Sequence, residues 1–230
     1  ALACASHGGE PEHVRIAARM LEHLGLEEGD LACGPHEPLA SRGVRSLREA
    51  AQRPTRLHNN CSGKHAAMLA RARQTAAPPP LLAPGPFLAN MALAYARLVQ
   101  AAASGDTPSR RVVSAMTSQP FLVGGTERFD TLLMEACGGN VLCKIGAEGV
   151  HTFALVDRGI GFALKVEDGA ARAQYPAVLS LLAAYDALPN PLPEALRDLL
   201  QRSVRNTRGE SVGVITVGDA DVGDVWEFNA

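Results

Sequence analysis

The stretch VLCKIGAEGVHTFALVDRGIGFALKV, residues 141–166, decides the fold of this chain. It holds three runs rich in apolar, β-branched and aromatic residues, at 141–145, 151–156 and 161–166, with Gly-containing segments at 146–149 and 157–159 between them. Short apolar runs bounded by turn residues are typical of strands. The stretch therefore predicts an antiparallel meander.

Helical patterns lie on both sides of this meander. Apolar spacing and start or stop signals predict helices at about 11–24, 65–73, 87–103, 109–117, 128–137, 175–186 and 194–204, and a last strand at 212–217. The Pro-rich segment 76–86 predicts a linker, because proline removes the donors that regular structure needs. Clustered helices around a meander, without alternating strand-helix units, predict an α+β fold with an antiparallel sheet.

Composition excludes several classes of function. The 230 residues carry 22 Lys and Arg against 24 Asp and Glu, a net charge of −2, so the basic surface expected of a nucleic-acid binder is missing. No apolar run reaches the roughly 18 to 20 residues that span a bilayer. We expect a soluble protein that binds neither nucleic acid nor membrane.

The cysteines favour a reducing compartment. There are five, at positions 4, 33, 61, 137 and 143, an odd number without disulfide-framework spacing. We therefore expect a cytoplasmic protein. Lysine occurs at three positions, 64, 144 and 165, which leaves few candidates for chemistry that depends on an amine.

Three local features have residues suited to catalysis or metal binding. Ser6 lies just ahead of a predicted helix N-terminus, where backbone N–H groups favour an anion, although a simple capping loop has the same pattern. Cys61 and Lys64 are three residues apart and share a face of a helical turn, as a metal or thiolate site requires, although a buried thiol beside a solvated amine would look alike. Lys144 interrupts an apolar strand, and burying its charge is costly, so we expect it to point into a cleft.

Four segments, taken in order, resemble the bacterial L-asparaginase II family of the rhizobial type. They are ASHGGEPEH (5–13), LHNNCSGKH (57–65), GGTERFDT (124–131) and KIGAEG (144–149). The later segments KVEDGA (165–170) and NTRGE (206–210) continue the match nearly to the C-terminus. The resemblance covers most of the chain, and the NNCSGKH segment is highly specific.

This resemblance implies a serine β-lactamase/glutaminase-like fold, a homodimer, and hydrolysis of L-asparagine to L-aspartate and ammonia through a seryl acyl-enzyme. It also implies two Ser-Lys pairs in one site and a zinc ion bound by two cysteines and a lysine. Ser6 and Lys144 match the second catalytic pair. By the same resemblance, Cys61 and Lys64 match two zinc ligands of the family, and Asn60 and His65 match positions in its substrate pocket.

Two parts of the family pattern have no counterpart in the printed sequence. The first Ser-x-x-Lys pair of the family lies upstream of position 1, and the third zinc ligand belongs to a region where this chain has only the Pro-rich stretch. We therefore expect residues 1–230 to form a single asparaginase II domain that is truncated at the N-terminus and shortened near 74–86.

The residues leave three hypotheses open. The chain is an amidohydrolase that uses Ser6 and Lys144, or it is a degenerate homologue that binds a ligand or a structural partner without turnover. In the third, the full gene product carries the missing segment. Asparagine and glutamine both remain candidate substrates, because one methylene of pocket depth is worth only about 1 to 3 kcal/mol.

Overall fold

The computed structural model describes residues 2, 7–31, 33–60, 87–200 and 202–218. Its helices are α1 (Pro11–His23), α2 (Ser41–Glu49), α3 (Phe87–Ala103), α4 (Thr107–Ser118), α5 (Pro120–Val123), α6 (Phe129–Ala136), α7 (Ala171–Ala184) and α8 (Glu194–Leu200). Its strands are β1 (Val141–Ile145), β2 (Val150–Leu155), β3 (Ile160–Lys165), β4 (Arg202–Arg205) and β5 (Ser211–Ile215). Single 3-10 turns lie at Glu28–Asp30 and Arg56–His58.

The predicted meander is confirmed. Strands β1, β2 and β3 pair antiparallel in sequence order, with Lys144 opposite Thr152 and Phe153 opposite Phe162. The first turn ends at Gly149, whose φ of +69° is a conformation that glycine adopts without steric cost. The mixture of helices and antiparallel strands confirms the α+β class.

Helices cover both faces of the meander. Side chains alternate along a strand, so Cys143, His151 and Phe153 share one face and Lys144 lies on the other. The His151 face packs against α6, where the ring of Phe129 lies 5.5 Å from the imidazole. The opposite face packs against α3 so closely that a Cβ on Gly161 would lie 2.1 Å from a backbone oxygen of that helix. The three-layer core between these elements includes Val99, Leu133, Leu142, Phe153, Leu155, Leu179 and Leu182, all 0–1% exposed.

Helix α1 and the segments that follow it build a second, smaller core. Leu21 of α1 and Leu31 are buried together, and Leu26, Cys33 and Leu57 pack around them. The loop before α1 contacts this unit through a backbone hydrogen bond from the Ala40 N–H to the Gly8 carbonyl, 3.0 Å long. Residues 7–10 therefore lie between the small core and the rest of the protein.

Some elements differ from the sequence predictions. The helix predicted at 194–204 is wrong at its end, because residues 202–205 form β4 and pair with β5 in a separate two-stranded sheet. Helix α2 has no counterpart among the predicted elements. The helices predicted at 11–24, 87–103, 109–117, 128–137 and 175–186, and the strand at 212–217, are confirmed with small shifts of their ends. The predicted helix at 65–73 and linker at 76–86 lie outside the described residues.

Candidate active site

A buried carboxylate joins the N-terminal loop to the Gly-rich loop at 124–128. Glu10 is 0% exposed and accepts hydrogen bonds from the backbone N–H of Thr126 at 2.7 Å and from its hydroxyl at 2.6 Å. Arg42 of α2 reaches the same carboxylate at 3.0 Å and provides the opposite charge. The buried anion is thus both paired and hydrogen-bonded, which is what makes its burial tolerable.

The two loops are in backbone contact at this point. A Cβ added to Gly125 would lie 2.7 Å from the Glu10 carboxylate and 3.2 Å from the Gly8 Cα, and the φ of Gly125 is +109°. Only glycine combines this backbone conformation with such a close approach. Glycine at position 125 therefore leaves room for the carboxylate and the neighbouring backbone.

A second backbone contact joins residues 7 and 60. The His7 N–H donates to the Asn60 carbonyl at 3.1 Å, and the His7 Nδ1 accepts a hydrogen bond from the Gly9 N–H at 3.0 Å. The segment that follows Ser6 in the chain thus lies directly against the segment that precedes Cys61. Two of the sequence motifs, distant along the chain, meet here.

Three stacked aromatic rings lie in the same region. The rings of His7 and His13 stack with centroids 4.9 Å apart, and the ring of Phe121 stacks on the other side of His13 at 4.8 Å. The His13 Nε2 donates to the Phe121 carbonyl at 3.0 Å, and its Nδ1 accepts from the Glu10 N–H at 3.3 Å. Burial lowers the pKa of His13, in keeping with a neutral ring that accepts at Nδ1.

Helix α6 joins the same loop to strand β1. Asp130, in the first turn of α6, accepts a hydrogen bond from the Ile145 N–H at 2.8 Å, and its other oxygen lies 3.1 Å from the His151 Nε2. Burial raises the pKa of Asp130, but His151 and Lys144 outweigh it, so the net direction is downward. An ionised carboxylate therefore fixes the backbone one residue beyond Lys144.

Lys144 is half-buried near the end of β1. Its Nζ donates to the carbonyl of Ile145, and its own carbonyl accepts from the Thr152 hydroxyl at 3.4 Å. The charge of Lys144 contributes to the lowered pKa of Asp130, and the expectation that this lysine points into a cleft stays a prediction. Lys165, by contrast, is exposed at the end of β3.

Four of the predicted site residues, Ser6, Cys61, Lys64 and His65, lie outside the described residues. The two that are described are Asn60, which contacts the N-terminal loop, and Lys144, which lies in β1. The Gly-rich loop bonds the N-terminal loop, and α6, which follows it, bonds β1. Glu10, Asp130 and His151 were not among the predicted site residues. A signal existed for His151, a polar residue inside an apolar strand, whereas nothing local marks Glu10 as the partner of a residue 116 positions away.

One group of described side chains has the composition of a metal site. Each of Asp130, Cys143 and His151 offers one possible ligand atom, and these three atoms lie within 4.8 Å of one another. All three residues are buried. Burial, and next the charge of Asp130, raise the pKa of the Cys143 thiol well above its usual value. Two of the described cysteines, Cys137 and Cys143, are free thiols.

Together the fold and this site define an α+β protein in which buried polar groups gather around two loops and a strand that carries a half-buried lysine. The L-asparaginase II family model matches residues 1–81 and 81–217. The chain belongs to the L-asparaginase II family. No curated protein matches it. Family membership indicates an enzyme, an amidohydrolase of the asparaginase type with a small-molecule substrate.

Among the helices of the described residues, none has the length and apolar character needed to cross a bilayer.

Proposed function

We propose that this chain hydrolyses the side-chain amide of L-asparagine to L-aspartate and ammonia, with Ser6 as nucleophile and Lys144 as its base. One observation supports the proposal most strongly. The segment 124–131 bonds Glu10 at one end, through Thr126, and the backbone beside Lys144 at the other, through Asp130. Glu10 lies four residues after Ser6 in the sequence, so segment 124–131 contacts both the loop that follows Ser6 and the strand that carries Lys144.

The reaction proceeds in two steps. Neutral Lys144 takes the proton of the Ser6 hydroxyl while the oxygen attacks the amide carbon, and collapse of the tetrahedral intermediate breaks the C–N bond. The leaving nitrogen takes that proton from the lysine and departs as ammonia. Water then attacks the aspartyl ester, returns its proton to Ser6 through the lysine, and releases L-aspartate.

The start of α1 is the proposed oxyanion site. The first-turn N–H groups of a helix have no partner within the helix and favour developing negative charge. Asn60 and His65 complete the substrate pocket in this proposal. Support for Asn60 comes from its backbone contact with His7, which brings the NNCSGKH segment next to the residue that follows Ser6.

Zinc is the metal that the family resemblance implies. Cys61 and Lys64 supply a thiolate and an amine, which are suitable donors but two short of the four that tetrahedral zinc needs. When bound, the ion would supply a positive charge that attracts the substrate carboxylate. The acyl transfer described above uses Ser6 and Lys144 and needs no metal step.

The proposal also covers the fold family, the oligomeric state and the location of the protein. We propose a serine β-lactamase/glutaminase-like fold, a homodimer and a cytoplasmic location. The fold assignment is supported by family membership and by the antiparallel sheet with helices on both faces.

The direct test is ammonia release from L-asparagine by the full chain. We expect Ser6→Ala and Lys144→Ala to lower kcat at least 1,000-fold, because each removes a reacting group. Lys165→Ala is the matched control, since this lysine ends the neighbouring strand and is exposed, and we expect its rate to stay within twofold of the unsubstituted chain.

Two results would reject the proposal. The first is a folded, unsubstituted chain that releases no ammonia from asparagine or glutamine, which would favour the degenerate homologue that binds without turnover. The second is a Ser6→Ala variant as active as the unsubstituted chain. Comparing kcat/KM for asparagine with that for glutamine decides the substrate.

A further inference from the structure

We propose that Asp130, Cys143 and His151 bind a divalent transition-metal ion of the zinc type in the core, at a site distinct from Cys61 and Lys64. The ion would fasten α6 to β1 and β2. Three independent observations carry the proposal: the donor set, the unpartnered atoms within it, and the balance of charge.

The donors match zinc in kind and nearly in place. Thiolate, imidazole and carboxylate are the three side-chain donors that zinc prefers, with bond lengths of about 2.0 to 2.3 Å, which put tetrahedral ligand atoms roughly 3.3 to 3.6 Å apart. The Asp130 Oδ1 and His151 Nε2 are already 3.1 Å apart, and all three ligand atoms lie within 4.8 Å of one another.

The polar atoms of this group lack good hydrogen-bond partners. Among the described residues, the Asp130 Oδ1 and both ring nitrogens of His151 are fully buried and make no hydrogen bond, although Oδ1 and Nε2 lie 3.1 Å apart as an acid–base pair. Buried polar atoms without partners are rare in folded proteins, and each one needs an explanation such as a bound ion. A metal would take a lone pair from Oδ1 and from one ring nitrogen.

The charges balance when the ion is present. A divalent cation with one carboxylate and one thiolate forms a neutral complex, whereas separate charges in the core would be costly. Binding forms the metal–sulfur bond and releases the Cys143 thiol proton to solvent. No change of oxidation state is involved.

Three protein donors leave the fourth position of tetrahedral zinc to another ligand, and the surroundings orient the donors that are present. The second oxygen of Asp130 is held by the Ile145 N–H at 2.8 Å, which orients the carboxylate as outer hydrogen bonds do in metal sites. The rings of Phe129 and Phe153 lie 5.5 and 6.2 Å from the imidazole and keep the site apolar. Because Ile145 follows Lys144, the ion would also stiffen the backbone beside the proposed catalytic lysine.

Cobalt(II) is the probe, because it replaces zinc and reports a thiolate ligand through an absorption band in the near ultraviolet. The full chain, freed of metal with a chelator, is titrated with cobalt. We expect Cys61→Ser to keep one equivalent of cobalt with the thiolate band, and Cys143→Ser in the same Cys61→Ser background to lose the band. Cys137→Ser is the matched control, because this half-buried cysteine, which directly follows α6, is outside the donor set.

A second variant distinguishes loss of metal binding from loss of folding. Asp130→Asn keeps an acceptor for the Ile145 N–H but loses the anionic ligand, so we expect it to fold and to bind cobalt at least 100-fold more weakly. The proposal is overturned if Cys61→Ser binds no cobalt, or if Cys143→Ser or Asp130→Asn binds it as the parent does. Metal binding is measured without turnover, so its failure and the failure of asparagine hydrolysis are separate results.

Discussion

Replacing Glu10 tests whether the buried carboxylate joins the two loops of the site. Glu10→Ala removes the acceptor at 2.7 Å from the Thr126 N–H and the one at 2.6 Å from its hydroxyl. Leaving a buried donor without a partner costs about 1 to 3 kcal/mol. Losing the charge pair with the half-exposed Arg42 adds up to about 1 kcal/mol. We expect the free energy of unfolding to fall by about 3 kcal/mol.

Glu12→Ala is the matched control. Glu12 lies in the same turn of α1 and contacts the same arginine at 2.6 Å, but its side chain is 32% exposed, whereas that of Glu10 is 0% exposed. An exposed ion pair is worth about 0 to 1 kcal/mol, so we expect a correspondingly small loss. Urea unfolding followed by circular dichroism measures both variants.

A double-mutant cycle isolates the contact itself. Glu10→Ala, Thr126→Val and the double variant should give a coupling energy of about 1 to 2 kcal/mol, because the residues share a hydrogen bond. Equal losses for Glu10→Ala and Glu12→Ala, or a coupling energy near zero, would refute the claim that this carboxylate holds the loops together.

Two further predictions concern the same region. Gly125→Ala should lower the free energy of unfolding by more than about 2 kcal/mol, since its Cβ would lie 2.7 Å from a Glu10 oxygen at a φ of +109°. The control Gly105→Ala has a φ of +98° but open space around it, and should cost only about 1 to 2 kcal/mol. Thermal unfolding compares the two variants, and equal losses would argue against the close approach at Gly125. Burial lowers the pKa of His13, so the unfolded chain binds its proton first as the pH falls below about 6.5, and stability should decrease by up to about 1.4 kcal/mol per pH unit. Urea unfolding at pH 7.5 and 5.5 should show a smaller decrease for His13→Gln, and an unchanged decrease would contradict the assignment.

Much of the fold could be predicted because its elements carry strong local signals. The meander at 141–165 combines apolar runs with glycine turns, and α3 has a long run of helix formers ended by Gly105. Helix α2 escaped prediction because its sequence, SRGVRSLRE, has only two large apolar residues. Its stability comes from tertiary contacts, among them the pair between Arg42 and Glu10.

The site was predictable only in part. Lys144 is conspicuous because it interrupts an apolar strand, and the structure places it half-buried near Asp130. The contacts of Glu10 with Thr126 and of Asp130 with Ile145 depend on how the chain folds back on itself, and no spacing in the sequence encodes them. A polar residue inside an apolar strand can be recognised in the sequence, but its partner is fixed by tertiary structure.

The proposed mechanism requires that a seryl acyl-enzyme form at Ser6 with the help of Lys144. The most direct measurement is mass spectrometry of the intact chain, acid-quenched during turnover of L-asparagine, followed by peptide mapping. We predict an added mass of one aspartyl group on the peptide that contains Ser6, and its absence in Lys144→Ala. An adduct on another residue, or turnover without any adduct in a chain whose Ser6→Ala variant remains active, would contradict this mechanism.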